Sequence, residues 1–264
     1  MTRNNRHYTA LVTGGGSGIG FATASALLAQ GWYVLVVDRK IPSQFPVIGR
    51  SRTIQADVTE TQAFSVVIDK LKDRLDALIL CAAESPFAQE PEKIIQTNGC
   101  AVISNALACR SVLRRNASII LLGSTAAYRV SFTSAWQRLL TALLSEQKDI
   151  KLPADCSRLS GEEAYRHAKR IVIEATRPLA RLMSNHCIRA NCLVLGPTVT
   201  PMSRPVWHGE PARWKRLVKE APFNHANSAM ECANVIAFLS GPSTRNLTGC
   251  CLYLDGGWFI THEY

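Results

Sequence analysis

Short apolar runs alternate along the chain with longer segments whose apolar residues recur every three or four positions. Such runs predict buried β-strands, and the longer segments predict helices that pack on them. The predicted strands are Tyr8–Thr13, Tyr33–Val37, Thr53–Gln55, Ala77–Leu80, Ser118–Leu122, Ile188–Val194 and Cys251–Leu254. The predicted helices are Gly18–Gln30, Glu60–Asp73, Glu92–Arg114, Gly161–His186 and Ala229–Ser240. This alternation predicts an α/β fold, a doubly wound and mostly parallel seven-stranded sheet, in a single domain of residues 1–264.

Two segments interrupt the alternation. At about residues 125–160, apolar residues from Trp136 to Leu144 have helical spacing and predict an inserted amphipathic helix. We expect its apolar stripe to be buried against a partner chain or over the substrate, two alternatives that can both hold. Residues 201–224 are rich in proline, arginine and aromatic residues and predict a mobile substrate loop with a short helix.

The composition excludes several classes of protein. Of the 264 residues, 47% are hydrophobic, far too many for an intrinsically disordered chain. No apolar stretch approaches the ~20 residues of a membrane span, and the N-terminal residues lack the apolar core of a signal peptide. We therefore expect a cytoplasmic protein without a membrane span.

The charged and cysteine residues narrow the candidate partners. The formal net charge is +10, but the basic residues are spread along the chain without interleaved aromatics, so we expect no nucleic acid. A positive field also suits an anionic cofactor or small-molecule substrate. The nine cysteines include no Cys-x-x-Cys pair, which predicts reduced thiols and no metal site.

A glycine-rich turn follows the first predicted strand and opens the first predicted helix. Its residues include Gly14, Ser17, Gly18, Ile19 and Gly20. Glycine lets the backbone approach a pyrophosphate closely, and the helix start presents unpaired N–H groups to it. No Lys-Ser or Lys-Thr follows the last glycine, which excludes a P-loop. The turn therefore predicts a dinucleotide-binding site.

Asp38 and Arg39 bear on the choice of dinucleotide. Asp38 closes the second predicted strand, eighteen positions after Gly20. A carboxylate there accepts hydrogen bonds from a ribose 2′-hydroxyl and repels a 2′-phosphate. Arg39 instead has the chemistry to bind a 2′-phosphate. We favour NAD as the cofactor, with NADP as the alternative.

Tyr165 and Lys169 lie four positions apart near the start of a long predicted helix. Residues at this spacing share one helix face, so both side chains can point into the same pocket. Tyrosine normally titrates near ~10, and a nearby ammonium group favours its phenolate form. The pair therefore predicts a tyrosine of lowered pKa that can exchange a proton with a substrate.

Together with further motifs, these residues make the chain resemble the short-chain dehydrogenase/reductase family over essentially its full length. The matching motifs are Thr13-Gly14…Gly18-x-Gly20, Asp57-Val58, Cys81-Ala82-Ala83 in place of the usual Asn-Ala-Gly, Asn98, Ser124, Tyr165 with Lys169, Gly196…Thr200 and Asp255-Gly256-Gly257. The resemblance implies a Rossmann fold and a nicotinamide cofactor.

The resemblance also implies four catalytic residues. Tyr165 would be the general acid/base that exchanges a proton with the substrate oxygen as hydride moves at the adjacent carbon. Ser124 would hydrogen-bond that oxygen. Lys169 would hold the nicotinamide ribose and lower the pKa of the tyrosine. Asn98 would anchor a water in a proton relay, a role that is compatible with bracing its helix from a buried position.

Further cofactor contacts are implied by the resemblance. Thr198 and Thr200 would meet the nicotinamide amide, and Asp57 and Val58 would line the adenine site. The other implied cofactor-binding residues are Cys81, Ala82 and Ala83. Ala83 places a methyl group where the family usually has a glycine.

The spacing between Ser124 and Tyr165 points to a subgroup. These residues are 41 positions apart, and the extra segment is similar to that of the bacterial 3α-hydroxysteroid dehydrogenase/carbonyl reductase subgroup. In family members an insertion here alters the tetramer interface. The resemblance therefore implies a homodimer, with a tetramer as the alternative.

The expected activity is hydride transfer between NAD and the alcohol or carbonyl of a hydrophobic cyclic substrate, such as a steroid, terpenoid or aromatic compound. The inserted helix together with Trp207, Trp214 and Phe223 motivates the hydrophobic substrate. Four basic residues favour an anionic substrate instead: Arg204, Arg213, Lys215 and Arg216. A non-catalytic, NAD-sensing regulatory protein is a third alternative.

Overall fold

A computed structural model describes residues 7–43, 45, 49–69, 71 and 74–262 of the chain. The strands are β1 (Thr9–Thr13), β2 (Tyr33–Asp38), β3 (Ser51–Gln55), β4 (Leu75–Leu80), β5 (Leu113–Ser124), β6 (Arg189–Leu195), β7 (Thr198–Val199), β8 (Asn227–Ser228) and β9 (Cys251–Leu254). The helices are α1 (Gly18–Ala29), α2 (Thr61–Asp69), α3 (Pro91–Ile95), α4 (Ala101–Ala108), α5 (Ser134–Leu144), α6 (Gly161–Ser184), α7 (Arg204–Trp207), α8 (Pro211–Lys219), α9 (Ala229–Ser240) and α10 (Trp258–Thr261).

Seven of the described strands form one parallel sheet in the order β3-β2-β1-β4-β5-β6-β9. The strand order reverses between β1 and β4, and such a switch point leaves a crevice at the carboxyl ends of the strands. The predicted doubly wound, seven-stranded Rossmann fold in a single domain is confirmed. The strands could be predicted from apolar runs in the sequence, because a strand that is covered on both faces of the sheet has few polar positions.

Two apolar clusters cover the two faces of the sheet. One contains Val102 of α4 and Ile171 of α6, and the other contains Leu27 of α1 and Ile236 of α9. Each cluster also takes alternate side chains from the central strands, because successive strand residues point to opposite faces. The sheet is therefore held between helices on both sides, with its carboxyl edge open. Within the described ranges, no helix has both the length and the apolar character needed to cross a membrane.

Helix α6 begins where the sequence predicts and is anchored there by a capping box. Ser160 Oγ accepts from the Glu163 backbone N–H, and the Glu163 carboxylate accepts from the Ser160 N–H at 2.9 Å. Such a box satisfies two backbone donors that the first turn leaves free. The helix runs to Ser184, so its first turns, which carry Tyr165 and Lys169, are fixed in direction.

The predicted helix Glu92–Arg114 is wrong as one continuous element. It is divided into α3, a π-turn over Gln96–Cys100 and α4, and the chain then enters β5 at Leu113. A Cβ at Gly99 would lie 3.4 Å from the Ala168 backbone, so the π-turn lies close against α6. The predicted helix Glu60–Asp73 corresponds to α2, and its positions 70, 72 and 73 lie outside the described residues.

The inserted helix α5 differs from both expectations for its apolar stripe. Trp136, Leu139, Leu140 and Leu143 are all buried within this chain's own core, beside α4 and α6. Trp136 also stacks on His167 of α6 at a ring distance of 4.3 Å. The stripe therefore covers neither a partner chain nor the substrate, because the chain supplies its own apolar groove.

Residues 201–224 contain more regular structure than the predicted loop with one short helix. Two helices occur here, α7 and the longer α8, and each has proline in its first turn. Proline there fixes a helical φ without removing a needed donor. The short parallel pair β7–β8 joins the two ends of this segment at the cavity described below.

Candidate active site

A cavity of about 940 Å³ opens at the carboxyl ends of β1, β4, β5 and β6. The predicted site residues that line it are Gly14, Ser17, Gly18, Ile19, Gly20, Asp38, Arg39, Asp57, Val58, Cys81, Ala82, Ala83, Ser124, Tyr165, Lys169, Thr198 and Thr200. The structure thus brings together residues from along the chain in one space. Asn98 lies outside this wall, among the described residues that pack behind it.

The glycine-rich turn has the shape of a phosphate cradle. Gly14 has a φ of 67°, and a Cβ built there would lie 2.6 Å from the Ala82 backbone. Gly18, with a φ of 53°, begins α1. In the described structure the Ser17 side chain does not cap α1, which leaves the first N–H groups of the helix to an external acceptor. These features fit the pyrophosphate of a dinucleotide.

Asp38 is held at the end of β2 by two backbone donors. Its Oδ2 accepts from the Gly16 N–H and its Oδ1 from the Lys40 N–H, both at 2.9 Å. A Cβ at Gly16 would lie 2.9 Å from the Asp38 carboxyl carbon, so glycine alone allows this approach. The carboxylate is fixed at the position that the sequence assigns to the adenosine ribose.

Arg39 forms ion pairs along the same wall. Its guanidinium lies 2.6 Å from Glu84 Oε1 and 3.8 Å from Asp57 Oδ2. Burial raises the pKa of Asp57, but hydrogen bonds from Thr59 and the charge of Arg39 outweigh it and hold that pKa below its ordinary value. Glu84 was not predicted from the sequence; its position directly after Cys81-Ala82-Ala83 was the available signal.

Ser124 and Tyr165 meet where β5 ends and α6 begins. Their side chains lie next to each other, and Ser124 Oγ accepts from the Ala126 N–H at 3.3 Å. Burial raises the pKa of Tyr165, and the neighbouring Ser124 side chain only partly opposes this. The predicted lowering of this pKa by Lys169 is therefore wrong for this structure.

The contacts of Lys169 explain why it does not lower the pKa of Tyr165. Its ammonium group donates to the Leu122 carbonyl at 2.9 Å and lies 5.7 Å from the centre of the Tyr165 ring. Only 6% of the residue is exposed, and burial lowers the pKa of Lys169 to about 8. Its ammonium group is directed to a backbone carbonyl and not to the phenol oxygen, so it supports the phenolate weakly.

Asn98 braces the chain behind the cavity. Its Oδ1 accepts from the Glu84 N–H at 2.6 Å, and its Nδ2 donates to the Glu84 carbonyl at 3.0 Å. The residue is fully buried in the π-turn. Of the two expected roles, this geometry provides bracing, and the water relay stays a prediction.

The remaining predicted cofactor residues belong to tightly bonded loops. Thr198 Oγ1 donates to the Gly196 carbonyl at 3.0 Å, and the Thr200 N–H donates to Ser203 Oγ at 3.0 Å. The Ala82 N–H lies 3.3 Å from Thr13 Oγ1, which ties the loop after β4 to the end of β1. These loops hold the cavity wall opposite α6.

The end of the cavity beyond Tyr165 combines apolar and charged residues. Trp214 lines the cavity, whereas Trp207 donates its indole N–H to the Thr200 carbonyl and Phe223 is 80% exposed. Of the four basic residues singled out in the sequence, Arg213 lines the cavity, and it lies 2.5 Å from Glu162. The predicted aromatic and basic sets therefore reach the cavity through one member each.

A second ion pair at this end was not predicted from the sequence. Arg129 binds Glu220, whose carboxylate also accepts from the Trp258 indole N–H at 3.0 Å. All three residues line the cavity. The three residues are far apart along the chain, so the sequence held no local signal for their contact.

Comparisons with known proteins agree with this architecture. A family model described as short chain dehydrogenase matches residues 8–136, and one described as Enoyl-(Acyl carrier protein) reductase matches residues 154–259. Dehydrogenase/reductase SDR family member 4 of Bos taurus is 25% identical over 97% of this chain and 90% of its own length. The 3-alpha-hydroxysteroid dehydrogenase/carbonyl reductase of Comamonas testosteroni is 24% identical over 94% and 95%.

A solved structure extends the similarity to three dimensions. The 3-alpha-hydroxysteroid dehydrogenase of Pseudomonas sp. B-0831, complexed with NADH, superposes with a TM-score of 0.75 at 23% identity, covering 96% of this chain and 97% of that one. The two family models together span nearly the whole chain, and its residues match the family's motifs in their chain order. The chain belongs to the short-chain dehydrogenase/reductase family of oxidoreductases, which use a nicotinamide cofactor.

Proposed function

We propose that this protein is an NAD-dependent alcohol dehydrogenase or carbonyl reductase. The observation that carries the proposal is the adjacent Ser124–Tyr165 pair, with Lys169 beside it, in the wall of a cavity that begins in a glycine cradle. A proton donor and a hydrogen-bond donor thus face the same space, as a reacting carbonyl oxygen requires.

The chain's residues divide the proton chemistry among them. In the direction of reduction, the Tyr165 hydroxyl donates a proton to the substrate oxygen while Ser124 Oγ donates a hydrogen bond to it. In the direction of oxidation, Tyr165 accepts the proton. Lys169, whose ammonium group lies 5.7 Å from the centre of the Tyr165 ring, would hold the ribose next to the nicotinamide. The nicotinamide, when bound, exchanges hydride with the carbon that bears this oxygen.

Asp38 supports NAD as the cofactor. Its carboxylate is fixed by the N–H groups of Gly16 and Lys40 and faces the cavity. A fixed negative charge there accepts from a ribose 2′-hydroxyl and repels a 2′-phosphate. The structural relative from Pseudomonas sp. B-0831 was solved with NADH, which agrees with this choice.

A hydrophobic cyclic alcohol or ketone is the substrate class that we favour. The side chains of Phe87, Met202, Val206, Trp214 and Leu217 supply apolar surface to the cavity. The relative from Comamonas testosteroni is named for a hydroxysteroid and carbonyl activity. Since Arg213 is neutralised by Glu162, it gives the alternative of an anionic substrate less support than its charge alone would.

The test is turnover with NAD or NADP over a panel of cyclic, steroidal, terpenoid and aromatic alcohols, followed by the absorbance of reduced nicotinamide. Tyr165→Phe removes the proton donor and keeps the ring, so we expect kcat to fall by at least about a hundredfold. Tyr33→Phe, outside the cavity-lining residues of the described structure, is the matched control and keeps full activity. NADH binding without turnover of any alcohol or ketone would instead favour the NAD-sensing regulatory protein.

A further inference from the structure

The wall that faces the adenosine end of the cavity contains an ion-pair network centred on Arg39. Its guanidinium contacts Glu84 Oε1 at 2.6 Å and lies 3.8 Å from Asp57 Oδ2. The adjacent residue is Asp38, whose carboxylate is already bonded to two backbone N–H groups. Arg39 is therefore paired with two carboxylates beside the cavity, and it directly follows Asp38, the residue that the sequence assigns to the adenosine ribose.

Glu84 is held rigidly, and this makes it the anchor of the network. Both its backbone N–H and its carbonyl are bonded to the buried Asn98 side chain, at 2.6 and 3.0 Å. The Glu84 side chain is 15% exposed, against 46% for Arg39. A charge-assisted pair to a fixed and mostly buried carboxylate is stronger than one to a mobile surface group. The flexible partner, Arg39, is thus drawn to the fixed one.

This contact removes a phosphate ligand from the cavity. Arginine binds phosphate through its planar, charged guanidinium, and a guanidinium already paired with a carboxylate is less available for that purpose. Breaking the Arg39–Glu84 pair to bind a 2′-phosphate would leave Glu84 without its cationic partner in a mostly buried position, which is unfavourable. A ribose 2′-hydroxyl requires no such change, since Asp38 can accept from it directly.

We infer that Glu84 is a cofactor-specificity residue, which withholds Arg39 from the ribose 2′-position and so sets the preference of this site for NAD over NADP. The inference rests on the proposed function and deepens it. Asp38 repels the 2′-phosphate, and Glu84 removes the cation that would otherwise offset that repulsion. Specificity then has two sources: an unfavourable interaction with the 2′-phosphate of NADP and a favourable hydrogen bond to the 2′-hydroxyl of NAD.

The test is the dissociation constant of NADH and of NADPH, each measured by the fluorescence of the reduced nicotinamide, so that no substrate is needed. Wild-type protein binds NADH more tightly. Glu84→Gln releases Arg39, and we expect the Kd for NADPH to fall about tenfold, which corresponds to about 1.4 kcal/mol. The Kd for NADH changes by less than about twofold, because the Asp38 contact is kept. Glu90→Gln is the matched control and leaves the ratio unchanged, since it removes an exposed acid that pairs with Lys93 and not with Arg39.

Two Arg39 variants separate the possible causes. As a single substitution, Arg39→Met leaves NADPH binding nearly unchanged, because the Arg39 guanidinium is already paired with Glu84. Combined with Glu84→Gln, it abolishes the gain in NADPH affinity that Glu84→Gln produces. An unchanged NADPH-to-NADH ratio in folded Glu84→Gln, or a large loss of NADPH binding in Arg39→Met alone, overturns the inference while the oxidoreductase proposal stands. Wild-type protein that binds neither dinucleotide overturns both.

Discussion

Lys169 brings an ammonium group into a nearly closed space beside Tyr165. The Leu122 carbonyl accepts a hydrogen bond from it at 2.9 Å, and burial lowers the pKa of Lys169 from an ordinary 10.5 to about 8. In the unfolded chain this lysine keeps its proton to a higher pH than in the folded protein. The residue proposed to hold the cofactor ribose is therefore a source of instability when charged, and this stored cost is typical of functional sites.

The same shift makes stability depend on pH in a defined direction. Between pH 8 and 10.5 the unfolded chain holds a proton that folded Lys169 has released, so the unfolding free energy rises with pH. From about pH 7.5 to about 9.5, wild type should gain on the order of 2 kcal/mol relative to Lys169→Met. Urea denaturation of both proteins at the two pH values measures this. Lys215→Met, at an exposed site, shows no such difference from wild type, and an equal pH response of Lys169→Met and wild type contradicts the prediction.

Individual site residues were predictable where their signal is local in sequence. Tyr165 and Lys169 are one helical turn apart, and Gly14 and Gly18 share one turn, so spacing alone placed them. Glu84 and Glu220 acquire their roles through partners 45 and 91 positions away, Arg39 and Arg129. Pairings over such distances depend on the completed fold, and a single sequence contains no pattern that encodes them.

At the scale of the element, α5 shows what periodicity can and cannot predict. Its apolar stripe correctly gave a helix, because five large apolar residues at helical spacing require burial. The spacing of these residues does not predict which surface they pack against. That surface is formed by α4 and α6, which come together only after the sheet has formed. The π-turn between α3 and α4 was missed for the same reason, since it depends on the close approach of Gly99 to α6.

Burial of the α5 stripe within one chain leads to a stability prediction. Leu139 is 3% exposed, and Leu139→Ala should lower the unfolding free energy by about 3 kcal/mol, because it deletes buried methyl groups and leaves a cavity. The loss is independent of protein concentration, since the stripe packs on its own chain. Arg138→Ala, on the exposed face of the same helix, changes stability by less than about 0.5 kcal/mol. A loss that grows as the protein is diluted would show that the stripe lies in an interface after all.

At the scale of the whole molecule, the sequence predicted the sheet well because its strands are continuous apolar runs joined by helices. Right-handed crossovers between parallel strands leave few possible orders for such a chain. The carboxyl edge then gathers Gly14, Ser124 and Tyr165 without any further information. The sequence did not predict the details of the surface, where exposed loops and ion pairs determine which substrate fits and where a second copy of the chain would bind.

The predicted homodimer can be tested on that surface. Helix α9 exposes Phe238 (59%) and Met230 (48%), and β9 is an edge strand of the sheet, so this region supplies unburied apolar surface and unpaired backbone groups. The groove of α4 and α6 is already covered by α5, which favours a dimer over a tetramer.

Light scattering with size-exclusion chromatography should give twice the mass of one chain for wild type. Phe238→Asp should raise the dimer Kd by at least about tenfold, whereas Phe223→Asp, on a still more exposed phenylalanine of the substrate segment, should stay dimeric. A monomeric wild type at micromolar concentration, or a Phe238→Asp variant as dimeric as wild type, would place the interface elsewhere or remove it, and the apolar face of α9 would then need another explanation.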